Sequence, residues 1–171
     1  IIHDKLVTKM KTASIIIIGN EILSGRTQDT NTNYLAKILV EKGILLQEVR
    51  VIPDNHNIIK SVVNSESSLK DYVFTSGGIG PTHDDITAQS IAKAFKLKYG
   101  YHKEAYKILE VYYGKKKFND GRKKMAKMPK GSKLIYNPSS AAPGFITKNV
   151  LSLPGVPSIL NSMIENCKKY L

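Results

Sequence analysis

The chain has 171 residues, a net charge of +12 and a single cysteine, Cys167. This length suits one compact domain with its own core, and a lone cysteine cannot form an internal disulfide. The sequence has no apolar run of about 20 residues that would span a bilayer, and its first residues lack the pattern of a signal peptide. We therefore expect a cytoplasmic protein with no membrane segment.

Positive charge is concentrated in one segment. Residues 98–133 contain twelve lysines or arginines against three acids, so they supply nine of the twelve net charges. Only three of the 26 basic residues are arginine, which nucleic-acid readers favour for bidentate contacts. We interpret the segment as a solvated face or as an attractor for an anionic small molecule, and a nucleic-acid surface is the least favoured reading.

The first part of the chain predicts strands that alternate with helices. Short apolar runs followed by turn residues indicate strands at 13–18, 44–52 and 72–75. Apolar residues at helical spacing indicate helices at 31–42, 55–67 and 87–95. This β-α-β-α-β order favours an α/β fold with a mostly parallel sheet covered on both sides.

The second part of the chain is less regular. The lysine-rich residues 102–127 predict one or two surface helices, broken around 114–121. Further strands are predicted at 133–136, 144–147 and 150–153. A closing amphipathic helix is predicted at 156–171, and its apolar face consists of Ile159, Leu160, Met163, Ile164 and Cys167. Residues 1–11 are predicted to be a disordered tail or sequence foreign to the domain, so a single domain is expected over 12–171.

The most informative loop follows the strand at 72–75 and reads SGGIGPTHDD. Glycines directly after a strand let backbone N–H groups approach an anion, although a plain tight turn needs the same residues. The predicted phosphate-binding residues are Ser76, Gly77, Gly78, Ile79, Gly80, Pro81 and Thr82. Asp84 and Asp85 follow, either as helix caps or as oxygen ligands for Mg²⁺.

A second polar loop, residues 19–31, follows the first strand. The carboxyl ends of parallel strands meet at one edge of a sheet, so Glu21 is expected to join Asp84 or Asp85 around a metal ion. Gly19, Asn20, Thr30 and Asn31 are the other candidate ligand contacts of this loop. The alternative is that Thr30 or Asn31 caps the next helix and that Glu21 is a surface charge.

Two later loops have the same character. Residues 137–144 contain Ser139 and Ser140, and residues 153–157 place Pro154 and Gly155 before the last helix. Small residues followed by a helix amino terminus form an anion site, although turn formation explains either loop alone. His83 is the histidine of these loops and a candidate acid or base near neutral pH.

These motifs resemble a known family. The segments GNEILSG, QDTNTNYLA, TSGGIGPTHDD, NPSSAAPGF and LPGVP occur in the order and spacing of the molybdopterin-binding domain of competence/damage-inducible CinA-type proteins, and equally of the same domain in eukaryotic FAD synthases. The resemblance implies a three-layer α/β/α sandwich. It also implies that Gly77 to Gly80 hold a ligand phosphate, that Asp85 is needed for activity, and that Arg122 and Lys123 match a basic pair that neutralises a phosphate.

The resemblance further implies a reaction. Relatives have been linked to metal-dependent hydrolysis of ADP-ribose or FAD, so we predict a pyrophosphatase with Mg²⁺, Co²⁺ or Mn²⁺, and Glu21, Asp84 and Asp85 as its catalytic and metal-binding residues. The alternative is a non-catalytic module that binds molybdopterin or a nucleotide. Self-association as a dimer or trimer is expected. Asn20 and Asp84 stand where molybdopterin-transfer relatives have aspartate and arginine, which argues against adenylylation, and no amidase domain is expected.

Overall fold

The computed structural model describes residues 9–171, so most of the predicted tail lies outside the described residues. The strands are β1 (Thr12–Ile18), β2 (Leu45–Ile52), β3 (Tyr72–Ser76), β4 (Tyr99–Tyr101), β5 (Lys127–Pro129), β6 (Lys133–Ile135), β7 (Gly144–Thr147) and β8 (Val150–Leu153). The helices are α1 (Asn20–Leu23), α2 (Asn31–Glu41), α3 (His56–Leu69), α4 (Thr87–Ala94), α5 (Lys103–Tyr113), α6 (Asp120–Lys124) and α7 (Pro157–Lys168).

Six strands form the central sheet in the order β2-β1-β3-β8-β7-β6. The first four pair in parallel, and β7 is antiparallel to both of its neighbours. The predicted α/β class with a mostly parallel sheet is therefore confirmed. Because β1, β3 and β8 are adjacent and parallel, the loops that follow them leave the sheet at the same edge.

Alternation along β1 divides the core into two layers. Ile16 and Ile18 face the cluster that includes residues of α3, α4 and α5. Ala13, Ile15 and Ile17 face the cluster formed with α2 and α7. All five side chains are at most 3% exposed, so the strand is buried on both faces and the sheet is the middle layer of a three-layer sandwich.

Two details differ from the sequence prediction. The loop at 19–31 contains the one-turn helix α1. The short strands β4 and β5 pair in a second, antiparallel sheet that was not predicted, because three residues each are too few to show an alternation of apolar and polar side chains. The prediction of one or two helices in the lysine-rich segment agrees with the two observed, α5 and α6.

The closing helix is confirmed, and its buried face is made of Leu160, Met163, Ile164 and Cys167. Burial raises the pKa of the Cys167 thiol to about 12, so the thiol stays protonated and unreactive at neutral pH. Ile159 was predicted on the same face but is only partly buried, because it lines the cleft described below. Among the described residues, no helix is long and apolar enough to cross a membrane.

A buried carboxylate depends on one cation from the edge strand. Glu66 of α3 is fully buried, and Arg50 Nη2 lies 3.2 Å from its Oε1. Arg50 also donates a hydrogen bond to Glu48 at 2.7 Å, and that bond is the main reason why the pKa of Arg50 is raised. Removing the cation would leave the Glu66 charge buried without a partner.

We expect Arg50→Met to lower the free energy of unfolding by about 2 kcal/mol, less than for a fully buried pair because Arg50 is partly exposed. The double variant Arg50→Met/Glu66→Gln should regain about half of that loss, since a neutral amide is cheaper to bury than a charge. Urea unfolding followed by circular dichroism measures both. The control is Lys60→Met, which removes a positive charge from the exposed face of α3, the helix that carries Glu66. If Arg50→Met destabilises the protein no more than this control does, Arg50 does not have this role.

Candidate functional site

Loops from distant parts of the chain meet in one cleft of about 490 Å³ at the carboxyl edge of the parallel strands. The predicted residues that line it are Glu21, Gly77, Gly78, Ile79, Gly80, Pro81, Asp85, Ser140, Pro154 and Gly155. The sequence prediction that these segments converge on one rim of the sheet therefore agrees with the structure.

The floor of the cleft is made of closely packed backbone. Gly77 has a φ of +107°, and a Cβ atom on it would lie 2.1 Å from the carbonyl oxygen of Ile18. A Cβ on Gly155 would lie 3.3 Å from the Gly77 Cα. The Gly77 N–H donates to Leu153 O at 3.0 Å. The ends of β1, β3 and β8 thus touch through glycine, and larger residues would push them apart.

The loop at residues 76–85, called the glycine loop below, presents backbone donors that have no protein partner. Within residues 9–171, no hydrogen bond is made by the N–H groups of Gly78, Ile79 or Gly80, and all three residues line the cleft. Their conformation is fixed from behind, since Thr87 donates from Oγ1 to Gly77 O at 2.9 Å and from its N–H to Gly78 O at 3.0 Å. Consecutive free N–H groups in a fixed loop form an anion-binding site.

The start of α7 lies on the same cleft. Val156, Pro157 and Ile159 line it, and Pro157 occupies the first turn of this 12-residue helix. Proline suits that position because its missing N–H would have no partner there. The positive end of the helix dipole therefore adds to the anion-binding character of the glycine loop.

Asp85 is held by one of its two oxygens. Its Oδ2 accepts hydrogen bonds from the Thr82 N–H at 2.9 Å and from Thr82 Oγ1 at 2.8 Å. No hydrogen bond to Oδ1 is found among residues 9–171. Neither Asp84 nor Asp85 caps α4, whose N-cap is Ile86, so that predicted alternative is wrong. Asp85 is a fixed carboxylate at the cleft with one oxygen left to accept a further partner.

The sequence prediction missed a further acid, Asp54, which lies near enough to Glu21 for the charge of Glu21 to act on its pKa. The Oδ2 atom of Asp54 accepts from the Asn20 N–H at 3.1 Å, and Asn20 Oδ1 accepts from the Asp54 N–H at 3.2 Å. Burial is the main reason why the pKa of Asp54 is raised; the hydrogen bond from Asn20 opposes the shift, and the charges of Glu21, Asp85 and Asp84 add to it. The glutamate side of the cleft is therefore negatively charged.

Comparison with known proteins shows the family to which the chain belongs. Residues 14–171 match the family model described as "Probable molybdopterin binding domain". The chain belongs to this family. It is 39% identical to a CinA-like protein from a Sulfurihydrogenibium species over 93% of the chain and 42% of the relative. It is 41% identical to an Archaeoglobus fulgidus protein over 88% of the chain and 65% of the relative, so it spans only part of both.

Comparison with solved structures points to the same family and fold. The CinA protein of unknown function from Thermoplasma acidophilum superposes with a TM-score of 0.87 at 33% identity, over 94% of this chain and 98% of that one. The molybdopterin biosynthesis enzyme MoaB from Thermus thermophilus gives a TM-score of 0.61 at 17% identity, over 95% and 92% of the two chains. The second likeness shows a shared fold.

Some predicted residues of the CinA-like domain lie outside the cleft lining. The carboxylate of Asp84 is 78% exposed and pairs with His83 Nε2 at 3.3 Å, and neither residue lines the cleft. The Arg122 guanidinium stacks 4.2 Å from the Tyr113 ring centroid, and Lys123 Nζ lies 5.8 Å from that of Phe118. The predicted basic pair is thus engaged with aromatic rings and not with the glycine loop.

The next residue, Lys124, reaches the site instead. Its Nζ donates a hydrogen bond to Thr82 O, and the side chain lines a small pocket together with Gly80 and Asp85. The sequence did not single out Lys124, because in a run of three basic residues only the helix geometry decides which one points at the loop. Met125 and Ile159 form an apolar wall of the cleft, which the sequence analysis did not predict.

The loop at residues 137–144 forms a wall of the cleft, and the N–H groups of its two serines are not free to bind an anion. Asn137 Oδ1 accepts from the N–H groups of Ser139 and Ser140 at 2.9 Å and 3.0 Å, and Asn137 Nδ2 donates to Ser140 Oγ at 2.8 Å. Those backbone donors are therefore occupied within the loop. Ser140 lines the cleft, whereas Ser139 does not.

The remaining residues of the first loop take different places. The N–H of Gly19 donates to Ile52 O at 3.1 Å, and the Glu21 carboxylate lies against the Gly19 Cα. Neither Thr30 nor Asn31 caps α2 with its side chain, because Asp29 Oδ1 accepts from the Asn31 N–H at 2.9 Å in their place. Thr30, Asn31 and Ser76 line a small chamber beside the cleft.

The carboxylates do not form a ready-made metal site. In the part of the chain that the structure describes, no three His, Cys, Asp or Glu side chains lie close enough to hold a metal ion together. Glu21 and Asp85 line the cleft, but the third predicted ligand, Asp84, does not. This donor set fits a cation of the Mg²⁺ type, which is usually held by one or two carboxylates together with substrate phosphates.

Proposed function

We propose that this domain is a metal-dependent pyrophosphatase that hydrolyses a nucleotide diphosphate ester of the ADP-ribose or FAD type. The observation that carries the proposal is that one cleft is lined both by the free N–H groups of Gly78, Ile79 and Gly80 and by two carboxylates. The carboxylates are those of Glu21 and Asp85. The first set binds phosphate, and the second suits a cation and a water molecule.

The two sides divide the work. The glycine N–H groups and the start of α7 bind phosphate oxygens and stabilise the charge that develops on the leaving phosphate. Asp85 Oδ1 accepts a proton from a water molecule, whose oxygen attacks one phosphorus while the bond from that phosphorus to the bridging oxygen breaks. A bound cation would neutralise the phosphate oxygens and polarise the water. The products are AMP and the second monophosphate.

The test is release of AMP by the purified protein from ADP-ribose or FAD with Mg²⁺, Co²⁺ or Mn²⁺. We expect AMP with at least one metal and its loss when EDTA is added. No AMP with any of the metals would remove the enzymatic proposal for these substrates.

A second candidate is a binding module without catalysis, for molybdopterin or a nucleotide. It is favoured by the apolar wall of Ile79, Met125 and Ile159, which can pack against a planar ring. Thermal stabilisation by the ligand without any turnover would support this candidate over the hydrolase.

Lys124 provides a test of the phosphate side. We expect Lys124→Met to raise the KM for ADP-ribose by about tenfold, since it removes the cation that contacts the glycine loop. The adjacent Lys123→Met, which removes the same charge from the ring of Phe118, should change KM by less than about twofold. Steady-state kinetics at two salt concentrations measure both variants. Equal effects would mean that only net charge matters.

A further inference from the structure

The strand β2 leaves one side of its backbone without a partner. It is eight residues long and ends the central sheet, and within residues 9–171 β1 is its only strand partner. The carbonyl oxygen of Ile52 accepts from the Gly19 N–H at 3.1 Å, so Ile52 and Arg50 direct their backbone groups toward β1. The N–H and C=O groups of Val49 and Val51 therefore point outward, where they form a template for another strand.

The opposite edge of the sheet is closed by the chain itself. The edge strand there, β6, is only three residues long. Tyr170 donates from its hydroxyl to Leu134 O at 3.1 Å, and Asn166 Nδ2 donates to Tyr136 O at 3.0 Å. A short edge strand covered by side chains resists pairing with another chain. The two edges of the sheet thus differ, and β2 is the open one.

The side chains of β2 also lack the protection that open edges usually have. No lysine or proline interrupts the strand. The exposed apolar side chains, which are 38% to 47% exposed, are Leu45, Val49 and Val51. Glu48 and Arg50 lie on the face that packs on α3, and both are 38% exposed. The edge therefore carries apolar side chains together with one acid and one base on either side of Val49.

Antiparallel pairing of two β2 strands about a two-fold axis at Val49 matches these side chains. The two Val49 residues meet at the axis, and Glu48 of each copy lies opposite Arg50 of the other. Opposite charges in such cross-strand pairs are stabilising. Arg50 uses Nε for Glu48 and Nη2 for Glu66, and within residues 9–171 its Nη1 has no hydrogen-bond partner. One donor of the guanidinium is thus left for the second copy.

We propose that the outer edge of β2 is the interface of a homodimer, in which the two central sheets join into one. A two-fold axis uses each edge once and closes at two copies, so the assembly is a dimer and not a trimer. Because the two β2 strands run in opposite directions, the two clefts lie at opposite ends of the interface and stay open. The dimer does not depend on the proposed hydrolase.

Sedimentation velocity over a range of micromolar concentrations tests the interface. We expect the wild-type chain to sediment with twice the mass of one chain. Val49→Lys places two lysines at the axis and should raise the dimer Kd by at least about tenfold. The matched control is Val111→Lys on α5, which adds the same charge at a valine that is 71% exposed. This control should keep the wild-type Kd, and circular dichroism verifies that both variants fold.

A pair of charge reversals tests the register. Glu48→Lys puts lysine opposite Arg50, and Arg50→Glu/Glu66→Gln puts glutamate opposite Glu48, so each variant alone should dimerise poorly. The Glu66→Gln change removes the buried charge that the new carboxylate would otherwise meet. In a mixture, opposite charges face each other in both pairs. We expect the heterodimer Kd to be at least about tenfold lower than that of either variant alone.

The outcomes decide the proposal without reference to catalysis. A monomeric wild-type chain, a trimer, or a dimer that Val49→Lys and Glu48→Lys both leave intact overturns the β2 interface. A mixture that associates no better than its components overturns the axis at Val49. If Arg50→Glu/Glu66→Gln does not fold, Val49→Lys and Glu48→Lys decide. The Val49→Lys variant should release AMP at the wild-type rate per chain, so failure of the hydrolase and failure of the dimer are seen separately.

Discussion

Replacing Asp85 with asparagine is expected to lower kcat for AMP release from ADP-ribose by about 10²–10⁴-fold, with Kd nearly unchanged. Asparagine keeps the shape of the side chain and an oxygen that can accept the hydrogen bonds from Thr82, which hold the loop. It removes the charge that would accept a proton from water. A fall in kcat with intact binding is therefore the signature of lost chemistry and not of a displaced loop.

Asp84 supplies the control for this experiment. It is the neighbouring acid, but its carboxylate is 78% exposed and paired with His83 rather than placed on the cleft. We expect Asp84→Asn to change kcat by less than about threefold, since a solvated charge outside the site acts weakly on the reaction. Asp85→Ala is less informative, because it also removes the anchor of Thr82. If Asp84→Asn is as inactive as Asp85→Asn, Asp85 is not the specific group that accepts the proton from water.

The sequence was sufficient to predict the edge of the sheet where the site lies. Short apolar runs such as residues 13–18 specify buried parallel strands, and parallel strands bring their following loops together whatever the loops contain. From that rule alone, Glu21, Gly78 and Gly155 were predicted to lie together, and all three line the cleft. The family motifs added the expectation that the cleft binds phosphate.

What sequence could not decide is which of several adjacent side chains reaches the cleft. Asp84 and Asp85 are adjacent in the chain and both were predicted as metal ligands, but only Asp85 lines the cleft. Lys123 was predicted to bind phosphate, but the adjacent Lys124 is the one that contacts the loop. The direction of a side chain at a helix or loop depends on backbone angles that neighbouring segments fix. Asp54 escaped notice because a lone acid after a strand has no pattern of its own.

The largest effect on stability is expected at Gly77. Its φ of +107° is unfavourable for any residue with a side chain, and the Cβ of alanine would lie 2.1 Å from Ile18 O, which is backbone of β1 and cannot rotate away. We expect Gly77→Ala to lower the free energy of unfolding by at least about 4 kcal/mol, which is exceptional for a single methyl group. Denaturant unfolding followed by circular dichroism measures the loss.

Gly25→Ala separates the two causes. Gly25 also has a positive φ, of +76°, but a Cβ there would meet no atom within 4 Å. Its substitution should cost about 1–2 kcal/mol, which is the backbone strain alone. The difference between the two variants then measures the close contact of β1 and β3 beneath the glycine loop. If Gly77→Ala costs no more than Gly25→Ala, the ends of these strands can move apart freely, and the loop N–H groups are not held in the fixed arrangement that phosphate binding requires.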